Sequence, residues 1–199
     1  MKKIKLGLVA AVLLAGVSGS ALATEVGKLY GAIDVGQTTV KSFCDGTLAG
    51  ETCDDAGMGF RGAVGYQVMP NLAVEASYAN YGTAEFNDNA GFTVDGNVTG
   101  FQFSAVGSYP VADAFSLTGK LGLALTNGEL DANIAGFGST KFDDDTTTLA
   151  WGIGVRYDIN TSIAVRAQYE SLGKISFDST DPTAESDVNL LTAGIVFNF

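Results

Sequence analysis

The stretch TTTLAWGIGVRYDINTSIAVRAQYE, residues 146–170, decides the fold. In its first half, large apolar side chains occupy every second position from Leu149 to Tyr157, with Ala, Gly or Arg156 between them. The same alternation returns after a short segment at Ile159-Asn160-Thr161. Successive side chains of a β-strand point to opposite faces. A period of two therefore predicts two strands, each with one apolar face, joined by a tight turn.

The alternation occurs in eight segments along the chain. They are residues 29–40, 57–68, 72–82, 98–109, 115–126, 146–158, 162–174 and 188–199. Each is longer than the usual strand of a soluble sheet and meets the ~9–11 residues that a tilted strand needs to cross a bilayer. No apolar run after residue 23 approaches the ~18 residues of a membrane-spanning helix.

The connections between these segments alternate between short and long. Three are tight turns with turn-forming residues: Met69-Pro70-Asn71, 110–114 and Ile159-Asn160-Thr161. The other four, 41–56, 83–97, 127–145 and 175–187, are long, polar and acidic. Short periplasmic turns and long outer loops are typical of outer-membrane barrels, whereas a soluble β-sandwich has no reason to sort its connections in this way. We therefore predict an all-β fold, an eight-stranded antiparallel up-and-down transmembrane β-barrel.

One face of the predicted strands carries no charge, as a surface in contact with lipid requires. Its members are Leu29, Ile33, Val35, Phe60, Val64, Tyr66, Leu72, Val74, Tyr78, Phe101, Phe103, Tyr109, Phe115, Leu117, Leu121, Leu123, Leu125, Leu149, Trp151, Ile153, Val155, Tyr157, Ile163, Val165, Tyr169, Leu191, Ile195, Phe197 and Phe199. Aromatic residues near the strand ends fit the girdle that such barrels carry at the membrane interface.

The opposite face is polar or small and is expected to line the lumen. Its charged members are Asp34, Arg61, Glu75, Lys120, Arg156 and Arg166. The interior of an eight-stranded barrel is just wide enough to be filled by side chains, and buried charges are costly unless they are paired. We therefore predict a charge network around Glu75. Two interpretations stay open: these residues only hold the barrel together, or they gate a pathway for small solutes.

The N-terminus has the pattern of a secretory signal. Lys2, Lys3 and Lys5 precede an apolar run at 6–17, and Ala21-Leu22-Ala23 forms a small-residue cleavage site. The run is too short for a transmembrane anchor, which needs about 20 residues. We predict a cleaved signal peptide at 1–23 and one barrel domain at 24–199.

The composition of the mature chain disfavours several functions. Without the three signal lysines, 8 of the 11 bases remain against 22 acids, a net charge of −14. Binding to nucleic acid is therefore disfavoured. The chain has no histidine, so a Ser–His nucleophile is impossible. Acid runs such as Asp143-Asp144-Asp145 are usually a solvated face. We predict that the protein is not an enzyme and has no cofactor.

The first long connection holds the only two cysteines. Cys44 and Cys53 form an even count in a chain expected to leave the cytoplasm, which predicts a disulfide. The acidic loops leave two interpretations open. They either keep the surface soluble or bind divalent cations, Ca²⁺ or Mg²⁺, that bridge to the phosphates of lipopolysaccharide.

Several stretches resemble the transmembrane domain of the outer-membrane protein A family. They are WGIGVRY at 151–157, IAVRAQYE at 163–170, GYQV at 65–68 and LAVEASY at 72–78. The resemblance covers essentially the whole mature chain and implies a charged lumen network. Glu75, Lys120 and Arg166 fall where family members place an acid and two bases. Arg156 stands where the best-known member looks acidic, and Asp34 where that member is basic.

The last nine residues, LTAGIVFNF at 191–199, look like the C-terminal signal that the outer-membrane assembly machinery reads. Phe197 and Phe199 are its aromatic residues. Because the predicted barrel reaches residue 199, we expect no peptidoglycan-binding domain of the kind that follows the barrel in this family.

These observations together predict a monomer in the outer membrane of a Gram-negative bacterium, in contact with lipid and lipopolysaccharide. The expected role is structural or surface-interaction, serving membrane integrity or adhesion. A narrow, low-conductance pore for small solutes is the alternative, and a lipid- or surfactant-binding barrel is a third hypothesis.

Overall fold

A computed structural model describes residues 26–40, 52–54, 56–87, 92–134, 138–176 and 185–199. Its strands are β1 (Leu29–Val40), β2 (Thr52–Asp54), β3 (Ala56–Met69), β4 (Leu72–Asn87), β5 (Phe92–Ala112), β6 (Phe115–Ile134), β7 (Gly138–Asp158), β8 (Ile163–Ser176) and β9 (Glu185–Asn198). These residues contain no helix that is long and apolar enough to cross a membrane. The predicted signal peptide lies outside them.

The strands close into a barrel. Every pairing between neighbouring strands is antiparallel, and β9 returns to pair with β1, from Tyr30 opposite Asn198 to Val40 opposite Val188. The short β2 lies outside this ring, because within the described residues it pairs with the outer end of β4 alone. The remaining eight strands form the closed ring. The predicted eight-stranded antiparallel barrel is confirmed.

Three strands are much longer than the alternation predicts. β5 begins at Phe92, β6 ends at Ile134 and β7 begins at Gly138, so β6 and β7 remain paired through most of the predicted loop 127–145. The strands continue there because the backbone ladder does not depend on an apolar face. The alternation disappears because the outer face of this region no longer meets lipid. Strand length was therefore underestimated where the pattern stops.

The three short connections lie at the opposite end. Pro70 and Asn71 join β3 to β4, and the Asn160 side chain accepts hydrogen bonds from the backbone N–H groups of Ser162 and Ile163 before β8. The predicted turn 110–114 is shorter than expected. Pro110 lies within β5, at a shift of register against β6, and the turn is residues 113–114.

The apolar face points outward. Of the predicted lipid-facing side chains, Leu72, Val155 and Ile163 are half-buried and the others are exposed. On β6 this surface runs from Phe115 to Leu125. A tilted strand of that length gives a height of about 25 Å, the usual apolar band of an outer-membrane barrel. Polar residues begin at Asn127, so the outer ends of β5, β6 and β7 extend beyond the lipid.

Candidate functional site

Six charged side chains from five strands meet in the middle of the lumen. They alternate with outward-facing neighbours along each strand, which places them all on the inner face. We call these residues, each at most 7% exposed, the charge ring: Asp34, Arg61, Glu75, Lys120, Arg166 and Glu170.

Asp34 joins the two arginines. Arg61 Nε lies 3.0 Å from Asp34 Oδ2 and donates to it. Arg166 donates from Nε to Asp34 Oδ1 at 2.8 Å and from Nη2 to Oδ2 at 2.7 Å, a bidentate pair. Bidentate geometry makes such ion pairs stronger and more specific in orientation.

The remaining ion pairs of the ring involve Glu75, Lys120 and Glu170. Arg166 Nη1 donates to Glu75 Oε2 at 2.8 Å, and Lys120 Nζ donates to Glu75 Oε1 at 3.1 Å. Lys120 Nζ also lies 3.2 Å from Glu170 Oε2, which accepts a 2.8 Å hydrogen bond from Arg61 Nη1. Each ion thus contacts two ions of opposite sign, in the order Asp34, Arg61, Glu170, Lys120, Glu75, Arg166. The formal charges of the ring sum to zero.

Neutral groups satisfy further donors and acceptors of the ring. Arg61 Nη2 donates to Gln168 Oε1 at 2.6 Å, and the Tyr30 hydroxyl donates to Glu75 Oε2 at 3.0 Å. These bonds matter because the desolvation cost of buried ions is repaid only when their geometry is good and their remaining polar groups are bonded.

A glycine makes room for the ring. Asp34 and Arg166 each pair with Gly194 of β9, which lies between their strands. A Cβ at Gly194 would overlap the Asp34 carboxylate and the Ile33 carbonyl. The missing side chain lets Asp34 and Arg166 meet across β9.

Apolar side chains fill the lumen on the loop side of the ring. We call them the loop-side cluster: Val40, Ala79, Tyr81, Val98, Ala124, Ala150, Leu172, Ile175, Val188 and Leu190. Leu172, Ile175 and Val188 are fully buried. Below this cluster, Lys120, Gln168 and Glu170 fill the lumen and are each at most 5% exposed. Ions and apolar residues together occlude this part of the barrel.

The turn side of the ring is open instead. A cavity of about 50 Å³ is lined by Tyr30, Gln67, Thr118, Arg156 and Arg166, among others. One water molecule needs about 10–15 Å³ measured in this way, so the cavity has room for a few. Water can therefore reach one face of the ring from the turn end.

Arg156 does not join the charge ring, contrary to the expectation from its position on the lumen face. It lies directly opposite Arg166 in the β7–β8 register, where two like charges repel. Its guanidinium is half-buried and points to the turn end, donating to Asp158 Oδ1 at 2.8 and 2.9 Å and to Asn198 Oδ1 at 3.2 Å.

Sequence reasoning missed Glu170 as a member of the ring. The signal was available, because Glu170 follows Arg166 and Gln168 at alternate positions of β8 and shares their inner face. Its role as the acid that links Arg61 to Lys120 depends on the arrangement of three separate strands.

The other predicted site residues lie elsewhere. Phe197 and Phe199 face outward, and the Phe199 N–H donates to the Leu29 carbonyl at 2.9 Å. Cys44 lies outside the described residues, as does the side chain of Cys53, so the disulfide stays a prediction. In the part of the chain that is described, no three His, Cys, Asp or Glu side chains are grouped to hold a metal ion.

Residues 9–199 match the family described as the outer membrane protein beta-barrel domain. The chain belongs to this family. Outer membrane protein A of Salmonella typhi is 28% identical over 138 residues, which cover 68% of this chain and 38% of that protein. Outer membrane protein P5 of Haemophilus influenzae is 28% identical, and the match covers 100% of this chain and 61% of that protein. The chain therefore spans less than two thirds of either relative.

Solved structures share the barrel fold of the family. The attachment invasion locus protein Ail of Yersinia pestis has a TM-score of 0.59 at 20% identity and covers 88% of this chain and 100% of that one. Neisserial surface protein A has a TM-score of 0.60 at 16% identity, and the match covers 86% of this chain and 97% of that one. At these identities the likeness shows the fold alone. The family and the fold place the protein in the outer membrane of a Gram-negative bacterium.

Proposed function

We propose that this chain is a non-enzymatic barrel with a structural or surface-interaction role, in membrane integrity or adhesion. The observation that carries the proposal is the occluded lumen, in which the charge ring and the loop-side cluster leave little space for a solute. The strands that extend beyond the lipid support a role at the cell surface, because they hold polar residues there on a paired backbone. The sequence contains no histidine, which also argues against the usual hydrolytic sites.

A narrow, low-conductance pore is the second candidate. The turn-side cavity favours it, because this cavity brings water to the ring at Arg166. The charge ring is made of side chains alone. Its ion pairs could therefore rearrange to open a path while the backbone hydrogen bonds between the strands stay intact. Conduction would also require the loop-side cluster to separate.

Conductance in planar lipid bilayers tests the proposal. The refolded chain is expected to give no channel events above those of protein-free bilayers. A deletion strain is expected to lose membrane integrity or surface attachment, and plasmid-borne protein should restore it. Regular single-channel events from the unmodified protein would favour the pore, and a deletion strain normal in both assays would contradict the structural role.

We further propose the targeting and partners predicted from the sequence. The signal peptide 1–23 is cleaved during export, and Phe197 and Phe199 take part in recognition by the assembly machinery. The mature protein contacts lipopolysaccharide as a monomer. Its acidic outer loops have two alternative roles: they keep the surface soluble, or they bind divalent cations that bridge to lipopolysaccharide phosphates. Mass spectrometry of the mature N-terminus tests the cleavage after Ala23.

A further inference from the structure

An apolar groove lies on the outer face of the barrel, where the wall meets lipid. It crosses four neighbouring strands, β7, β8, β9 and β1, and has a volume of about 640 Å³. We call it the outer groove, and its floor and walls include Val35, Val155, Tyr157, Ala167, Ala193 and Phe197. These outward-facing side chains are hydrocarbon apart from the Tyr157 hydroxyl, so a ligand of this groove must be apolar.

Two alanines form the floor of the outer groove. Ala167 of β8 and Ala193 of β9 pair directly with each other, and both side chains are exposed. Their next neighbours in the same row are valines, Val155 on β7 and Val35 on β1. Because the side chain of alanine ends at Cβ, the surface is lower between the two valines and lets a ligand approach the backbone closely.

The outer groove lies in the half of the lipid-facing band that is nearer the turns. Its lining side chains are at most six residues from the turn-side end of their strands, and the farthest is Val35, counted from Leu29. Six residues of a strand tilted by about 45° rise about 14 Å, roughly half of the ~30 Å hydrocarbon core. The groove therefore faces the turn-side leaflet, which is the periplasmic leaflet for an outer-membrane barrel.

The two ends of the outer groove differ. At the turn side, Tyr157 and Phe197 each stand one residue before the end of their strands. A tyrosine at this depth keeps its ring in the apolar region and its hydroxyl near the lipid headgroups. At the other end, Leu191 pairs with Tyr169 two positions beyond the alanines, and both side chains are exposed. The groove is thus open toward the headgroups and bounded toward the middle of the bilayer.

We infer that the outer groove binds one acyl chain of a glycerophospholipid from the periplasmic leaflet. The headgroup lies near Tyr157, and the chain runs from there to Ala167 and Ala193. An acyl chain needs no hydrogen bond and bends to follow the floor, so it makes dispersion contacts that an unfilled groove would forfeit. This site goes beyond the proposed structural role, because it assigns a ligand to the outer surface whether or not the lumen conducts.

A second copy of the chain fits the outer groove less well. Lipid tails are as apolar as the side chains here, so a protein surface gains by leaving lipid only where it packs closely. Two copies related by a two-fold axis present the same surface to each other. Ala167 and Ala193 of one copy would then face the alanines of the other across a gap. A lipid chain fills the groove without a complementary ridge.

Photochemical cross-linking tests the inference on the full mature chain in phospholipid vesicles. The probe is a phosphatidylethanolamine with a diazirine on one acyl chain, and mass spectrometry of proteolytic peptides locates the cross-links. We expect the yield per residue to be about fivefold higher in 163–169 and 191–197 than in 72–78, which lies on the opposite side of the barrel. About ten additional dispersion contacts for a chain in the groove account for a preference of this size.

Substitutions on the lipid face supply the matched variants. Ala193→Leu fills the floor and should lower the groove yield to that of 72–78, and Ala167→Leu is a second variant with the same expected effect. Ala76→Leu is the control, because Ala76 is also exposed but lies between Val64 and Phe103. It should leave the groove yield unchanged. A shift in gel migration on boiling checks that each variant is folded.

Three results would overturn the inference. Cross-links may be spread evenly around the barrel, or the floor variants and Ala76→Leu may change the groove yield equally. The third is a protein dimer in the vesicles that Ala193→Leu abolishes, which would assign the groove to a second copy. Bilayer conductance tests the proposed function separately, so even cross-linking around a non-conducting barrel removes only this inference.

Discussion

At the scale of single residues, the charge ring depends on the balance of three acids and three bases. Glu170→Gln keeps the shape of the side chain and leaves three bases with two acids. Breaking a buried ion pair on one side costs about 3–5 kcal/mol. We expect this loss in the free energy of unfolding, measured by urea titration of the barrel refolded in lipid vesicles.

Glu129→Gln is the matched control, because Glu129 is exposed beyond the lipid. An exposed substitution of this kind changes stability by about 0.5 kcal/mol or less. Equal unfolding midpoints for the two variants would contradict the importance of Glu170 to the ring.

Gly194 provides a second prediction at this scale. In Gly194→Ala, the new methyl group would overlap the Asp34 carboxylate and push it away from Arg166. Overpacking of this kind costs about 1–3 kcal/mol, measured in the same titration. Gly62→Ala is the control, since a Cβ at Gly62 meets nothing within 4 Å. The packing argument is wrong if both alanine variants unfold at the same urea concentration.

At the scale of elements, the end of β8 closes the lumen through Leu172. Leu172→Ala should leave a cavity in the loop-side cluster and lower the free energy of unfolding by about 2–5 kcal/mol. Leu191→Ala, on the lipid face, removes the same atoms where lipid can fill the space, and should cost less. A larger loss for Leu191→Ala would show that the cluster does not pack as described.

The predicted disulfide belongs to the connection between β1 and β3. Closing the small loop from Cys44 to Cys53 removes only about 2–3 kcal/mol of unfolded-state entropy. If the bridge is present, thiol reagents should not label the unfolded, non-reduced protein. Because the stabilisation is small, reduction should leave the β-type circular dichroism intact and raise protease sensitivity only near 41–56. Two labelled thiols would refute the bridge, and loss of the fold on reduction would refute its local role.

At the scale of the whole molecule, the eight strands of the described barrel form a closed ladder, because β9 pairs back with β1. A closed barrel hydrogen-bonds its backbone internally and so resists unfolding by detergent. We expect an unboiled sample to migrate differently from a boiled one on a denaturing gel, with a mainly β circular dichroism spectrum. Identical migration, or a helical spectrum, would be inconsistent with this fold.

The period of two in the sequence was sufficient to predict the barrel and to separate its two faces. Which side of a strand a residue occupies depends only on its own position along that strand, so Asp34, Arg61, Glu75, Lys120 and Arg166 were identifiable as lumen residues. The order of short and long connections likewise follows directly from the chain. Outside the lipid the period-two pattern is lost, because neither face of β6 and β7 must remain apolar there.

Only the tertiary structure decided which charges meet. The partner of a lumen side chain depends on the stagger of strands that are far apart in sequence, and no local pattern contains that stagger. Glu170 therefore joins Arg61 and Lys120 to complete the ring, while Arg156, placed opposite Arg166, turns away to Asp158.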